Sequence, residues 1–468
     1  MITKKGSVII MGLKFYIKTY GCQMNERDSE SLAAALVDGG FEMTQVEADA
    51  DIMLFNTCSV REQAERKAVG KIGIVKKLKR KKPELLIGVF GCMAQSKKDE
   101  LLAELPHLDF VVGTDKLHTI VDIIKDELRN RHRIVVADVD SSTESLEAMG
   151  GHLLPEDSPN KSGLSAYISL MRGCNRFCTY CIVPYVRGRE KSREVASILK
   201  EAEKLVDAGI KEIMLLGQNV AAYGLDGRLK AKADESPFAD LLVELNKIEG
   251  LKRIRFTSPH PACFNDKLIQ AVADIPKVCD NIHLPLQSGS DKILKAMHRG
   301  YTAEEYLSIV DRLKKRSPGV TFSTDIIVGF PGETKDDFNS TREIFNRVGF
   351  DNAFIFKYSP RRGTEAVELG DDVPLKEKER RNHALLEDLK KITGEHNRAM
   401  IGQTVQILVE GVSKRNQDRW FGRTTSNKTV VFTPAPDILI GELVNLVIEK
   451  TTSATLFGAL LSAYPERS

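Results

Sequence analysis

Short β-rich runs alternate with helical stretches along most of this chain of 468 residues. Near the amino terminus, the runs KFYIKTYGC, DIMLFNTC and LLIGVFGC end at residues 22, 58 and 92. Six more runs follow, from AYISLM at residues 166–171 to NAFIFKY at residues 352–358. Strands that alternate with helices at this spacing form parallel sheets, so the pattern predicts an α/β multidomain protein. We expect an open parallel α/β sheet first, followed by a partial (β/α)6 barrel.

Two changes in composition divide the chain into three domains. Residues 140–163 are rich in Ser, Gly, Pro and acidic residues, which predicts a linker between domains at 13–139 and 164–396. Behind Pro374 a helical stretch follows, and after it short β-rich runs separated by Gly, Pro and Asn replace the helical pattern. For residues 397–466 we therefore predict a small antiparallel β-barrel of the kind that binds nucleic acid.

Three cysteines in the segment RGCNRFCTYC, residues 172–181, are spaced as C-x3-C-x2-C without a fourth. A structural zinc site needs four protein ligands, and a redox disulfide of Cys178 with Cys181 would leave Cys174 unused. An iron–sulfur cluster fits this spacing better, because three thiolates leave one iron free to bind another group. The segment therefore predicts a cluster with an open iron.

A second set of three cysteines follows the three amino-terminal strands. Cys22, Cys58 and Cys92 each come directly after a β-rich run that ends in Gly or Thr. Parallel strands have their carboxyl ends at one edge of the sheet, where ligand sites of such sheets lie. We therefore expect these three thiols to meet in a second three-thiolate site, although each one alone is typical of a buried core cysteine.

Polar residues also follow several strands of the predicted barrel. In barrels of this class, active sites gather at the carboxyl ends of the strands. We expect one barrel mouth to be lined by a set of strand-end residues: Gln218, Asn219, Ser258, His260, Gln287, Ser288 and Asp325. For His260 an ordinary loop position is an equally good interpretation.

The predicted carboxyl-terminal barrel contains a basic segment, SKRNQDRWFGRTTSNK, at residues 413–428. Cations that alternate with aromatic faces are typical of RNA binding, because they contact phosphates and stack on bases. We predict RNA contacts for Lys414, Arg415, Arg419, Trp420, Arg423 and Lys428. The alternative is that Trp420 and Phe421 belong to the core of the barrel.

The order of these segments resembles one family, the radical-SAM (S-adenosylmethionine) methylthiotransferases, over nearly the whole chain. The resemblance rests on the three-domain order, ending in a TRAM domain, and on the motifs TYGCQMN, NTCSVRE, GCNRFCTYCIVPYVRGRE, LPLQSGSDKIL and DIIVGFPGET. These motifs are most similar to those of the members that modify N6-(dimethylallyl)adenosine (i6A) at position 37 of tRNA. Members that act on threonylcarbamoyladenosine or on a ribosomal protein are the alternatives. One departure is Arg362, where the family more often has proline.

The resemblance implies a radical-SAM enzyme with two [4Fe–4S] clusters that methylthiolates C2 of the modified adenosine. It implies that Cys174, Cys178 and Cys181 hold the cluster that binds and cleaves SAM, and that Cys22, Cys58 and Cys92 hold a second cluster that supplies sulfur. A second SAM would supply the methyl group. An unactivated C–H bond requires such cofactor chemistry. The expected cofactor-binding residues are Gly217, Gln218, Asn219, Ser258, Gln287, Ser288, Asp325, Ile327 and Gly329.

Charge and hydropathy limit the remaining possibilities. The net charge is only +3, so any contact with tRNA must be local. No apolar run approaches the roughly 18 residues of a membrane span, and we expect a cytoplasmic monomer that takes electrons from a reductant such as flavodoxin. Two alternatives from other classes are a non-enzymatic iron–sulfur electron carrier and a zinc-stabilised RNA-binding protein.

Overall fold

The computed structural model describes residues 12–59, 62–139, 143–153, 163–225, 227–229, 232 and 234–461. The amino-terminal domain is built on a six-stranded parallel sheet with the order β2-β1-β3-β4-β5-β6. Its strands are β1 Lys14–Thr19, β2 Glu42–Met43, β3 Ile52–Thr57, β4 Leu86–Gly91, β5 Phe110–Val112 and β6 Ile134–Val136. The predicted open parallel sheet is confirmed. Three of its strands, β2, β5 and β6, have only two or three residues, too short to show a sequence pattern.

Helices cover both faces of this sheet: α1 Gln23–Asp38, α2 Glu62–Lys81, α3 Cys92–Lys97, α4 Asp99–Glu104 and α5 Ile120–Asn130. Consecutive residues of β3 point to opposite faces and are buried on both, as expected for a parallel sheet between helix layers. Leu54 packs with Leu32 of α1 on one face, whereas Met53 packs with Ile72 of α2 on the other.

The linker predicted at 140–163 lies partly outside the described residues, at 140–142 and 154–162. Its described part contains the single-turn helix α6 Glu144–Glu147. Buried ion pairs join this part to both neighbouring domains. Arg27 of α1 and His152 of the linker both contact Glu201 of the central domain, at 3.2 and 2.6 Å. The amino-terminal domain is therefore held firmly against the central one.

The central domain consists of two three-stranded parallel sheets, β11-β10-β7 and β12-β13-β14, joined by an isolated bridge between Ile254 and Val278. This arrangement confirms the partial six-stranded barrel. Its strands, with the short hairpin β8/β9, are β7 Ser165–Ser169, β8 Met171–Arg172, β9 Lys191–Ser192, β10 Glu212–Leu216, β11 Arg253–Phe256, β12 Asn281–His283, β13 Thr321–Val328 and β14 Asn352–Lys357.

Helices pack on the outside of the barrel around a large apolar core. They are α8 Val195–Asp207, α9 Pro237–Asn246, α10 Asp266–Asp274, α11 Asp291–Ala296, α12 Ala303–Arg316, α13 Lys335–Val348 and α14 Leu375–Ala399. The short helix α7 Val183–Arg187 instead packs against Cys92 of α3 in the amino-terminal domain. The last helix, α14, begins directly behind Pro374, as the sequence predicts, and crosses the predicted domain limit at residue 396.

The third domain is a closed five-stranded barrel with the order β15-β16-β17-β19-β18. Its strands are β15 Thr404–Ser413, β16 Asn416–Thr424, β17 Thr429–Phe432, β18 Leu443–Thr451 and β19 Leu456–Leu460. The predicted small barrel is confirmed, with one detail that differs. The pair β17/β19 is parallel, whereas the other four pairs are antiparallel.

This third domain packs against the amino-terminal ends of strands of the central barrel. Arg255 of β11 donates hydrogen bonds to the carbonyl oxygens of Thr424 and Thr425, at 2.7 and 2.8 Å. Glu212, the first residue of β10, forms an ion pair with Arg423 at 3.0 Å. The third domain therefore lies at the end of the barrel opposite the carboxyl ends of its strands. None of the helices described in the structure is long and apolar enough to cross a membrane.

Candidate active site

The C-x3-C-x2-C segment forms one loop between β8 and α7. The backbone N–H of Cys174 donates to the carbonyl of Gly188 at 3.1 Å, and that of Cys181 donates to the carbonyl of Cys178 at 2.9 Å. Gly173 has a φ of +83°, and a Cβ there would lie 2.0 Å from the carbonyl oxygen of Arg189. Only glycine fits at this close approach of two backbone segments. The fold therefore fixes the position of the three thiols.

Burial keeps two of these thiols, those of Cys174 and Cys181, protonated when no metal is bound. Desolvation raises the pKa of Cys174 and of Cys181 to about 12, and the thiol of Cys178 adds to the effect in both cases. Thiols that influence one another in this way lie close together. Metal binding requires thiolates, so this site favours an occupant that supplies compensating positive charge.

The residues predicted at the barrel mouth have different contacts. Gln218 accepts a hydrogen bond from the N–H of Gly173 at 2.6 Å and thereby holds the cysteine loop. Asn219 is buried and accepts from the N–H of His260 at 3.0 Å. Asp325 lies 3.4 Å from Nε2 of His283. Through these hydrogen bonds, Gln218 and Asn219 stabilise the loops at the barrel mouth.

Other residues of the predicted mouth and cofactor-binding sets form hydrogen bonds within the loops at the barrel mouth. Ser288 is fully buried against Thr341, with 3.3 Å between their hydroxyls. The N–H of Gln287 donates to the carbonyl of Asp325 at 2.8 Å, and the N–H of Ile327 donates back to the carbonyl of Gln287 at 3.0 Å. Gly329 donates its N–H to Glu333 at 2.6 Å.

Gly217 and Ser258 complete the predicted set. A Cβ on Gly217 would lie 2.7 Å from Cγ of Met171, so the backbone passes close to that side chain. Ser258 has a φ of +58°, and Phe177, Gln287 and His298 near the mouth also have positive φ. Such backbone conformations are sparsely populated by residues other than glycine and concentrate at functional sites.

Cys22, Cys58 and Cys92 lie at one edge of the amino-terminal sheet. Thr57 of β3 pairs with Gly91 of β4, so Cys58 and Cys92 each follow a paired residue on neighbouring strands. Strand β1 pairs with β3 on the other side, and Cys22 comes three residues after its end. The structure therefore brings the second set of thiols to the edge that the sequence predicts.

Short contacts hold this edge together. Asn25 accepts a hydrogen bond from Sγ of Cys22 at 3.3 Å and donates to Asn56 at 2.7 Å. Gly91 has a φ of +94°, and a Cβ there would lie 2.5 Å from Oδ1 of Asn56. These asparagines stand directly beside the thiols, and sequence reasoning did not single them out.

The two sets of thiols are neighbours across the domain boundary. Cys92 packs against Ile182 and Val186, and Ile182 directly follows Cys181 of the first set. Arg187, at the end of α7, forms a buried ion pair with Asp28 at 3.1 Å. Burial raises the pKa of Cys92, and the positive charge of Arg187 lowers it. The short helix α7 therefore connects both thiol sets.

In neither set of cysteines do all three sulfur atoms lie within 4.8 Å of one another. Among the described residues, three ligand atoms all within 4.8 Å of one another occur only in the group Asp126, Glu127 and His132. One zinc ion bound by three thiolates at ~2.3 Å would hold the sulfur atoms within about 4 Å.

Comparisons with known proteins agree with this architecture. The pattern of the Radical SAM superfamily matches residues 168–345, that of the uncharacterized protein family UPF0004 matches residues 14–113, and that of the TRAM domain matches residues 398–461. A tRNA-2-methylthio-N(6)-dimethylallyladenosine synthase from Akkermansia muciniphila is 46% identical over 457 residues, covering 95% of this chain and 98% of that protein. A protein of the same name from Carboxydothermus hydrogenoformans is 46% identical over 449 residues, covering 96% of this chain and 99% of that protein.

This chain belongs to the tRNA-2-methylthio-N(6)-dimethylallyladenosine synthase family. The fold is also similar to that of a solved structure, the radical S-adenosylmethionine methyltransferase TsrM from Kitasatospora setae, at a TM-score of 0.53. That structure is 15% identical in sequence and covers 74% of this chain and 72% of its own, so it supports the fold alone. As a radical-SAM member, this synthase-family chain carries a [4Fe–4S] cluster and uses SAM, and the donor set of Cys174, Cys178 and Cys181 fits that cluster.

The basic segment of this family member divides into two parts. Lys414, Arg415 and Arg419 are exposed on the β15/β16 hairpin. Arg423 instead pairs with Glu212 and Glu410, and Lys428 pairs with Asp351 of the central domain. The charges of Arg423 and Lys428 are therefore engaged at the domain interface, which the sequence did not indicate.

Two further residues singled out from the sequence, Trp420 and Arg362, both contact neighbouring parts of the protein. Trp420 is half-buried and packs against the core of the third domain, as the alternative interpretation of the sequence expects. Arg362 is exposed and pairs with Glu100 of the amino-terminal domain at 3.2 Å. The departure from proline at this position therefore adds a contact between two domains of this synthase-family chain.

Proposed function

We propose that this protein is a sulfur-group transferase that methylthiolates C2 of i6A at position 37 of tRNA. The proposal includes two SAM molecules, one for radical formation and one for the methyl group. The proposal rests on one observation, the sequence similarity over 95% of the chain to relatives with this activity in their names. Two adjacent sets of three thiols support it, because the reaction needs both radical formation and a sulfur source.

We propose that Cys22, Cys58 and Cys92 hold a second [4Fe–4S] cluster beside the one at Cys174, Cys178 and Cys181. When bound, the two clusters would supply the electron for radical formation and the sulfur for transfer. The position of Arg187 beside Cys92 supports this assignment, because a buried cation suits an anionic cluster.

The chain's own residues would bind and orient the reactants. The proposed cofactor-binding residues are Gly217, Gln218, Asn219, Ser258, Gln287, Ser288, Asp325, Ile327 and Gly329. Within this set, Gln218 orients the cysteine loop through Gly173, and Asp325 offers a partly exposed carboxylate beside His283. The side chain of Ser288 is fully buried, so we propose that it shapes the loop.

For RNA contact we propose the exposed cations of the β15/β16 hairpin, Lys414, Arg415 and Arg419. Trp420, half-buried on the barrel core, would support this hairpin. We exclude Arg423 and Lys428 from the proposed RNA surface because acidic residues of the central domain already pair with them.

We further propose a cytoplasmic monomer reduced by a protein such as flavodoxin, with domains at 13–139, 164–396 and 397–466.

Mass spectrometry of tRNA nucleosides tests this function. In cells that lack the gene, the methylthio derivative of i6A should disappear and unmodified i6A should accumulate. Expression of the wild-type gene or of Cys279→Ala should restore the derivative, because Cys279 belongs to neither thiol set. Cys178→Ala should not. Loss of a methylthio derivative of threonylcarbamoyladenosine instead, or of a modified ribosomal protein, would contradict the proposed substrate.

A further inference from the structure

Arg299 is a fully buried arginine beside the cysteine loop of the central barrel. It comes three residues after α11, and 5% of its surface is exposed. Its Nη1 lies 3.4 Å from Sγ of Cys178 and 3.4 Å from the hydroxyl of Tyr180. Its guanidinium therefore contacts one of the three thiols directly, together with the aromatic residue that precedes Cys181.

The other contacts of Arg299 fix its position. Its Nε donates to the hydroxyl of Tyr301 at 3.2 Å, and its Nη2 donates to the carbonyl of Pro285 at 3.4 Å. Tyr301 in turn donates to the carbonyl of Leu286 at 2.8 Å. The guanidinium is therefore tied to the end of β12 and cannot turn away from Cys178 without breaking several hydrogen bonds.

No carboxylate balances the charge of Arg299 among the residues that the structure describes. Two other buried arginines have such partners: Arg193 pairs with Glu201, and Arg381 pairs with Glu333. The side-chain groups nearest its guanidinium are the hydroxyls of Tyr180 and Tyr301 and the sulfur of Cys178. A buried cation without an anion is unfavourable, and a cluster bound at Cys178 would supply the missing negative charge.

We propose that Arg299 is a positioning residue that compensates the negative charge of the cluster at Cys174, Cys178 and Cys181 and thereby favours its one-electron reduction. This inference rests on the cluster assignment within the proposed function. The reduced cluster carries one more negative charge than the oxidised one, and a nearby cation stabilises the reduced form more in a site of low dielectric constant. Hydrogen bonds to the sulfurs act in the same direction.

The geometry also separates Arg299 from the cations at the second set of thiols. Arg187 contacts Cys92, but Asp28 accepts hydrogen bonds from both Arg187 and Arg172. Arg299 has no comparable carboxylate among its described contacts. We therefore expect the effect of Arg299 to be confined to the cluster that binds SAM.

The test uses full-length protein with Cys22, Cys58 and Cys92 replaced by Ala, so that one cluster remains. In this background, the potential of that cluster is titrated by electron paramagnetic resonance for Arg299, Arg299→Lys and Arg299→Gln. We expect Arg299→Gln to make reduction at least tenfold less favourable, which corresponds to 59 mV for a one-electron couple. Arg299→Lys keeps the charge and should stay within tenfold of the parent.

Every outcome bears on the proposal. A cluster in Arg299→Gln with unchanged potential, or an equal shift in Arg299→Lys, would overturn it. If Arg299→Gln loses its iron while Arg299→Lys keeps it, the charge is needed even to hold the cluster, which supports the proposal. If both variants lose iron, Arg299 serves packing only and the proposal is wrong. If the parent itself binds no iron, the cluster assignment in the proposed function fails instead.

Discussion

At the scale of single residues, spacing identified the cysteines but not the cations that surround them. Cys174, Cys178 and Cys181 are recognisable because their chemistry depends on a fixed local spacing. Arg299 contacts Cys178 across 121 positions of the chain, and Arg187 contacts Asp28 across 159. An isolated arginine has no local pattern, and its partner is set only by the tertiary fold. The sequence therefore predicts the proposed ligands of the cluster, but not the buried cations that lie beside them.

One prediction at this scale compares two buried cysteines. Cys178→Ala should abolish reductive cleavage of SAM, because two remaining thiolates cannot hold the cluster with an open iron. Cys279→Ala should retain it, since Cys279 is also buried but lies outside both sets. The measurement is 5′-deoxyadenosine formed by anaerobically reconstituted protein. Normal cleavage by Cys178→Ala would show that the cluster is held elsewhere.

At the scale of elements, the parallel sheets were predictable and the contacts between domains were not. Alternating β-rich and helical segments indicate parallel sheets, and the ends of β1, β3 and β4 place three thiols at one edge. By contrast, Arg423 was predicted to bind RNA and instead pairs with Glu212, 211 positions earlier. A basic segment looks the same in sequence whether its cations face phosphates or the acids of another domain.

A prediction for the β15/β16 hairpin compares the exposed cation Arg419 with Arg423, which is paired with an acid of the central domain. Arg419→Ala should weaken tRNA binding and reduce the slope of log affinity against log salt by about one, because one phosphate contact is lost. Arg423→Ala should leave the salt slope unchanged but lower the melting temperature, because Glu212 loses a buried partner. Affinity at several salt concentrations, with melting curves of each variant, makes the comparison. A reduced salt slope for Arg423→Ala would show that Arg423 does contact RNA.

A second prediction at this scale concerns the contact of α1 and the linker with α8. Burial alone would raise the pKa of Glu201, but the hydrogen bond with His152 and the charges of Arg27 and Arg193 lower it to about 2. Because the folded pKa is below the ordinary value, Glu201 stabilises the fold above pH ~4.5, and this contribution of roughly 3 kcal/mol is lost as the pH falls towards 2.

Melting curves of metal-free protein test this ion pair. Glu201→Gln should lower the melting temperature clearly at pH 7, where the carboxylate of the wild type is ionised. The difference between the two proteins should shrink at pH 3, where the unfolded wild type is protonated and part of the advantage is gone. An equal difference at both pH values would mean that packing, and not charge, makes Glu201 important.

At the scale of the whole molecule, two of the three domains meet at the mouth of the barrel, and the third domain lies at the other end. The third domain packs at the amino-terminal ends of the barrel strands, so it leaves the carboxyl ends and the cysteine loop uncovered. The amino-terminal domain instead approaches that mouth, because Cys92 packs against residues that follow Cys181. This arrangement brings both thiol sets together, although they stand on independent sheets.

The last prediction follows from this separation of the two sites. Replacing Cys22, Cys58 and Cys92 by Ala should halve the bound iron and abolish the methylthio product, yet leave reductive SAM cleavage measurable. The loop of Cys174, Cys178 and Cys181 is held by Gly188 and Gln218 of its own domain, so it does not depend on the second set. Replacing the three barrel cysteines is the matched variant and should remove SAM cleavage as well. Iron analysis, 5′-deoxyadenosine and modified nucleosides are measured on the same preparations. Normal methylthio product from the first variant without added sulfide would show that its thiols do not hold the sulfur source.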